Sequence, residues 1–167
     1  MSKQLRSVHQ LASLAIDAGR YENKTYMIRK FQQSDIDQVI SIWLEASIKA
    51  HDFVGSGFWK SKVTDMREIY IPSGETYVYE EEGIIQGFVS LCNDTIAAIF
   101  VSPDSQGKGI GRQLIQKAKD VRDILNLTVY KQNQKSIEFY KKCAFTIEQE
   151  RIDEKTGHPE LLMKFNS

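Results

Sequence analysis

The chain has 167 residues, the length of one compact domain at roughly 150 residues per domain, with 41% hydrophobic and 26% charged residues. That balance excludes disordered and collagen-like chains, and no stretch approaches the ~20 apolar residues of a membrane span. Lys+Arg and Asp+Glu stand at 22 each, so the basic excess that electrostatic nucleic-acid binding needs is missing.

Leu5, Val8, Leu11, Leu14 and Ala15 recur at helical spacing until Gly19. Residues 1–25 therefore read as an N-terminal extension, an amphipathic helix and a linker, which packs on the body or joins a homodimer contact. Its apolar run is too short and broken for a secretory signal. The main domain, 26–167, opens with a strand at 26–31. Ser34 with Asp37 three residues on is an N-cap signature for a helix whose core stripe is Ile36, Val39, Ile40, Trp43, Leu44 and Ile48. A second helix is predicted over 58–70, ending at Pro72-Ser73-Gly74.

Strands at 76–80 and 84–91 are joined through Glu81-Glu82-Gly83 as a hairpin. The apolar run 95–101 is the pattern of a central strand buried on both faces. A helix starts at Gly109, with Ile110, Leu114, Ala118 and Val121 on one stripe. Leu125, Leu127 and Val129 alternate with polar or amphipathic neighbours in a further strand. Asn133 caps a helix to about Lys142, and two strands follow around Gly157-His158-Pro159. Cys92 and Cys143 lie far apart with no thiol or histidine at ligand spacing, so they read as two small buried residues in a reducing, cytoplasmic compartment.

The stretch that carries chemistry runs from Ile99-Phe100-Val101 through Gln106-Gly107-Lys108-Gly109-Ile110-Gly111-Arg112. A buried strand leads into a glycine-rich loop and straight into an amphipathic helix. The first N–H groups of that helix have no intrahelical partner and sit at the positive end of its dipole, which suits a pyrophosphate. A Walker loop fails because Gly109 follows Lys108, and a dinucleotide fingerprint fails on glycine spacing. Gln106-x-x-Gly109-x-Gly111 instead resembles the acetyl-coenzyme A motif of Gcn5-related N-acetyltransferases. Asn133 followed by Phe139-Tyr140-Lys141-Lys142-Cys143-Ala144-Phe145 resembles the same family's second signature, with Ala144 where glycine is usual. Ala144 is tolerable there if its φ is negative. Ala50-His51-Asp52-Phe53 and Asp153-Glu154-Lys155-Thr156-Gly157-His158-Pro159 are similar to the YjaB-type bacterial branch.

The resemblance implies a mixed α/β fold, a mostly antiparallel sheet splayed between strands four and five and flanked by helices. It implies acetyl-coenzyme A as donor and a primary amine, on a small molecule or a protein, as acceptor. The backbone of Ile99, Phe100 and Val101 would pair with the pantetheine arm. Gln106 to Arg112 would bind the pyrophosphate, Lys108 and Arg112 adding charge. Asn133 would tie the last helix to the ligand, and Tyr140 would give a proton to the departing thiolate. Thr128 stands where one branch of the family carries a glutamate base and cannot replace it. His51 leads the remaining candidates because it titrates near neutrality, with Asp52, Asp94, Glu80 to Glu82 or a water relay behind it. No metal is implied. The rival readings are a non-catalytic acyl-coenzyme A binding domain and an interaction module using the N-terminal helix.

Overall fold

The computed structural model describes residues 25–167, and the helix expected in residues 1–24 lies outside them. In chain order come β1 (Tyr26–Lys30), α1 (Ile36–Ala50), a broken helical segment α2 (residues 56–73), β2 (Glu75–Glu81), β3 (Ile84–Cys92) and β4 (Thr95–Val101). Then follow α3 (Ile110–Val121), β5 (Ile124–Tyr130), α4 (Gln134–Lys142), β6 (Thr146–Ile152) and β7 (Pro159–Asn166). This is the expected mixed α/β order. Among the described residues no helix is long and apolar enough to cross a membrane.

The strands form one sheet in the order β1-β2-β3-β4-β5-β7-β6. Neighbours are antiparallel except β4 and β5, which run parallel and pair at Thr95 with Asn126 alone. Helices cover both faces. On one, Val39, Ile40 and Trp43 of α1 and Trp59 of α2 pack against Val78, Phe88 and Ala98. On the other, Leu114 and Ala118 of α3 and Ile137 of α4 pack against Val89, Leu125 and Leu127. The alternation of Leu125, Leu127 and Val129 inward is as expected.

β4 departs from the sequence reading. Ser90 faces Ala98 while Leu91 faces Ile96, so Ala97 is an extra residue, a β-bulge. The bulge flips the phase of the strand: Ile96 belongs to the α3 side of the core and Ala98 to the α1 side. Ile96 and Ala98 are buried, but Ala97 is exposed and Ile99, Phe100 and Val101 are only partly covered. A continuous apolar run hides such a phase shift; Ile99, Phe100 and Val101 pack against the core clusters and also line a cleft.

The start of α1 also differs. The cap lies two residues before Ser34: a short 3-10 turn, Gln33–Asp35, feeds α1, with Gln32 and Asp35 forming a capping box. Asp35 is drawn there because its buried carboxylate accepts from the Gln32 N–H at 2.8 Å and from Arg29 Nη1 at 2.7 Å. Arg29 holds the Asp35 carboxyl below its ordinary range and also binds Glu80 at 2.7 Å, tying β1, β2 and α1 together. The second helix is broken into Ser56–Ser61, Val63–Asp65, a wide π-type turn at Met66–Tyr70, and Ile71–Ser73. Pro72 has no N–H to give the carbonyl four residues back, and the turn before it widens.

Ala144 has φ 64, so the negative φ expected of it is not what the fold adopts. The reason is the end of α4. Phe145 N–H donates to Tyr140 O at 3.0 Å and Ala144 N–H to Lys141 O at 2.9 Å, the paired bonds of a Schellman motif. That motif demands a left-handed residue at 144 and brings the Phe145 ring to 5.9 Å from Tyr140. Alanine pays about 1–2 kcal/mol for that conformation, partly offset by its stiffer unfolded chain. Ala144→Gly is therefore expected to raise stability by about 1 kcal/mol, read as a higher denaturant midpoint at unchanged m-value.

Candidate active site

β4 and β5 separate beyond their single shared pair, and a cavity of about 1120 Å³ occupies the gap. Residues 96–101 of β4 form one wall and 127–130 of β5 the other. Small-molecule sites usually span about 300–1,000 Å³, so this one has room for two reactants. Because β5 pairs with β4 only at Asn126, the edge of β4 beyond it is free to pair with an extended ligand.

One end of the cavity is the glycine loop. Gln106, Gly107, Gly109, Ile110, Gly111 and Arg112 all line it, whereas Lys108 does not. Gln106 serves the loop's own structure, its Nε2 donating to Val101 O at 3.2 Å. Gly109 is the residue preceding α3 and has φ 85, a conformation that a side chain resists. With no side chain capping α3, its first N–H groups remain for a ligand. Gly111 also has a packing task besides its place in the cavity lining. A Cβ there would meet Phe139 Cζ of α4 at 3.2 Å, so it lets α3 and α4 approach. Lys135, Ser136 and Lys142 of α4 also line the cavity. Sequence reasoning missed them, since solvated helix lysines and phosphate-facing ones look alike.

Tyr140 stands in the cavity wall, 9% exposed, its ring held between Phe139 and Phe145 at 5.3 and 5.9 Å. Burial pushes the phenol well above its ordinary value, so it keeps its proton at neutral pH. Such a group can donate a proton to a leaving thiolate. Cys143, on the same turn, is buried and its thiol is pushed up by burial, with Lys119 and Arg112 opposing. It is no ready nucleophile. Cys92 is exposed at the end of β3, contrary to the buried position expected of it.

The other end of the cavity is aromatic. His51 follows the last turn of α1 with Phe53, Trp59 and Tyr130 around it, at centroid distances of 5.9, 5.2 and 5.2 Å. Burial lowers its pKa, opposed by the Ser47 backbone beside the ring, so the imidazole is neutral at neutral pH. Its Nε2 lies 3.4 Å from Asn133 Nδ2, and Asn133 Oδ1 caps α4 by accepting from Ser136 N–H at 3.1 Å. His51 and Asn133, 82 residues apart, thus meet where β5 leads into α4. Tyr130 donates to Asp153 Oδ2 at 2.7 Å, and burial pushes its phenol up to about 12. Burial works against the Asp153 charge, but hydrogen bonds from Tyr130 and Thr156 hold the carboxyl below its ordinary range.

Of the other base candidates, Asp52, Asp94 and Glu80 to Glu82 do not line the cavity. Asp94 lies beside Arg122, and Glu80 is bound to Arg29. The carboxylates at the cavity are Asp153 and Glu160, both already paired, Glu160 with Arg151 at 2.6 Å. Neither was singled out from the sequence; the β6–β7 hairpin brings them back to β5 across more than twenty residues. Tyr130 was legible as the outward partner of Val129 but carried no chemical signal. Among the described residues no cluster of ligating side chains could hold a metal ion.

Residues 72–147 match the family model described as an acetyltransferase (GNAT) domain. The peptidyl-lysine N-acetyltransferase YiaC of Escherichia coli K12 is 32% identical over 140 residues, covering 83% of this chain and 96% of that protein. The chain belongs to the GNAT acetyltransferase family. It is an N-acetyltransferase, and the non-catalytic alternative is set aside. The peptidyl-lysine N-acetyltransferase YjaB of the same organism is 28% identical over 121 residues, covering 72% of this chain and 82% of that one. The solution structure of apo YjaB from E. coli superposes with a TM-score of 0.75 at 25% identity, over 84% of this chain and 97% of that one. The PaiA N-acetyltransferase of Thermoplasma acidophilum, solved in complex with coenzyme A, shares the fold with a TM-score of 0.72 at 15% identity, over 86% and 99%. The GNAT splay between β4 and β5 is thus the cavity described above.

Proposed function

We propose that this GNAT enzyme transfers the acetyl group of acetyl-coenzyme A to the ε-amine of a protein lysine. The observation that carries the reading is one cleft between β4 and β5 whose lining brings together a glycine-loop helix start, Tyr140 and His51. The lysine acceptor is taken from the relatives, which are named peptidyl-lysine N-acetyltransferases. The residues fit the donor: Ile99, Phe100 and Val101 offer a free strand edge to the pantetheine amides. Gly107 to Arg112 offer backbone N–H groups to the pyrophosphate, with Arg112, Lys135 and Lys142 supplying positive charge. When bound, acetyl-coenzyme A supplies an activated acetyl group as a thioester.

A lysine ammonium, with a reference pKa of ~10.4, must shed a proton before it attacks. His51 Nε2 takes that proton, and Tyr140 supplies one to the departing sulfur. Transfer is direct, since the buried Cys143 thiol lacks an activating base. Two unpaired cysteines suit a reducing cytoplasm.

Two measurements test this reading. Gly109→Glu sets a carboxylate where the pyrophosphate lies and a side chain on a backbone with φ 85. Acetyl-coenzyme A affinity should fall at least tenfold, about 1.4 kcal/mol, by calorimetry on folded protein; unchanged affinity would move the donor elsewhere. For the acceptor, thiol release is compared between lysine peptides with blocked termini, peptides with only a free α-amine, and polyamines. The lysine peptides should have the highest kcat/KM by tenfold or more; a tenfold preference for either other class would reassign the acceptor.

A further inference from the structure

Three buried polar atoms of the described residues have no hydrogen-bond partner: Ser47 Oγ, His51 Nδ1 and Trp59 Nε1. They belong to residues in one place. Ser47 is fully buried on the last turn of α1, and its carbonyl accepts from His51 N–H at 3.0 Å. The Trp59 ring lies against the imidazole at 5.2 Å and against Trp43, one turn before Ser47 on α1, at 6.2 Å. Buried polar groups of native proteins are almost always paired, with protein or with ordered water.

The chemistry of the three atoms says which. Asn133 Oδ1 accepts from Ser136 N–H, so the amide is oriented and it is the Nδ2 donor that faces His51 Nε2 at 3.4 Å. Nε2 therefore carries the lone pair and Nδ1 the proton. Two of the orphans, His51 Nδ1–H and Trp59 Nε1–H, can only donate, and the third, a hydroxyl, can accept. One water that accepts both N–H groups and donates to Ser47 Oγ satisfies all three with three hydrogen bonds, the usual number for a buried water.

We propose that a buried water bound by Ser47, His51 and Trp59 is a fixed part of the active site, and that Ser47 and Trp59 act through it as positioning residues that hold His51 in the tautomer able to accept a proton at Nε2. This rests on the reading of His51 as the base. In that step the acceptor's N–H takes the place of the long Asn133 contact. The N–H bond breaks and Nε2–H forms, while the electron pair stays on the amine nitrogen for attack. The positive charge gained by the imidazole strengthens its Nδ1–H bond to the water, and the proton later leaves to solvent. Charged and titratable groups around the ring are Lys49 and Asp52 on its own segment, Lys62 on α2, and Tyr130 on β5. Asp153 and His158 stand beyond Tyr130. The Ser47 backbone lies beside the ring, but neither it nor any of these groups makes a hydrogen bond to Nδ1.

The test follows the His51 ring nitrogens by NMR through a pH titration, assigned with His51→Gln, in the wild type, Ser47→Ala, Trp59→Phe and the double variant. The expected wild-type tautomer is Nδ1–H. Each single variant weakens the water's hold on the imidazolium, so the His51 midpoint should fall by about one pH unit. The kcat should drop about tenfold with the KM for acetyl-coenzyme A unchanged. Because both side chains act on one water, the double variant should be no worse than the poorer single one; independent structural roles would add. An Nε2–H tautomer, an unmoved midpoint in both variants, or additive effects would overturn the proposal. A midpoint that falls while the kcat/KM profile stays put upholds the water and removes His51 as base.

Discussion

Tyr140→Phe is expected to lower kcat by about 10²-fold or more while the affinity for acetyl-coenzyme A stays within a factor of two. The substitution removes one oxygen and leaves the ring between Phe139 and Phe145, where the Schellman closure at Ala144 holds it. Folding and donor binding should therefore be unaffected, and on the proposed mechanism what is lost is the proton for the departing thiolate. The phenol, raised by burial, is protonated throughout the working pH range, so its loss lowers the rate without moving the acidic side of the pH profile. A wild-type kcat, measured where chemistry limits the rate, would leave Tyr140 as a packing residue only.

His51→Ala has the second large effect. A base works when neutral, so activity falls as pH drops through its pKa. Burial sets that pKa below the ordinary imidazole value of 6.5, hence the acidic limb of kcat/KM should lie below 6.5 in the wild type. Removing the imidazole should abolish this limb and cost about 10²-fold in kcat/KM. The profile should then rise only towards the pKa of the amine itself. His51→Gln can still accept a hydrogen bond from Asn133 but cannot take a proton, so it should behave like the alanine variant. Recovery of activity and limb in the glutamine variant would reduce His51 to a support for Asn133.

Both residues could be picked out of the sequence as candidates, for different reasons. Tyr140 sits in a motif whose spacing reflects geometry: Phe145 must fold back onto Tyr140, and the Schellman bonds between them fix the intervening residue. The same geometry explains why Ala144 was misjudged, since its φ is set by two hydrogen bonds to α4 and not by its own preference. The glycine loop stood out as a candidate because its pattern, strand to glycines to amphipathic helix, is local in the sequence. The packing of Gly111 against Phe139 was not legible, because nothing nearby in sequence announces Phe139.

What stayed hidden is tertiary. The bulge at Ala97 leaves no mark in an unbroken apolar run, yet it shifts the face on which every later residue of β4 projects. Pro72 marked the end of the second helix, but its breaks at Lys62 and Met66–Tyr70 leave no mark in the sequence. The environment of His51 is assembled from α1, α2, β5 and the start of α4, so neither its contact with Asn133 nor the orphaned Nδ1 could be inferred from its neighbours. Asp153 and Glu160 reach the cavity only because β7 pairs along the whole of β5.

Acetyl transfer itself is read by mass spectrometry of a lysine peptide with both termini blocked, incubated with acetyl-coenzyme A and either the wild type or Tyr140→Phe. Wild-type protein should place one acetyl group on the lysine Nε, with coenzyme A released in equal amount and the phenylalanine variant at least 10²-fold slower. Peptide that stays unmodified, together with no coenzyme A released to any primary amine, would contradict acetyl transfer in the β4–β5 cleft.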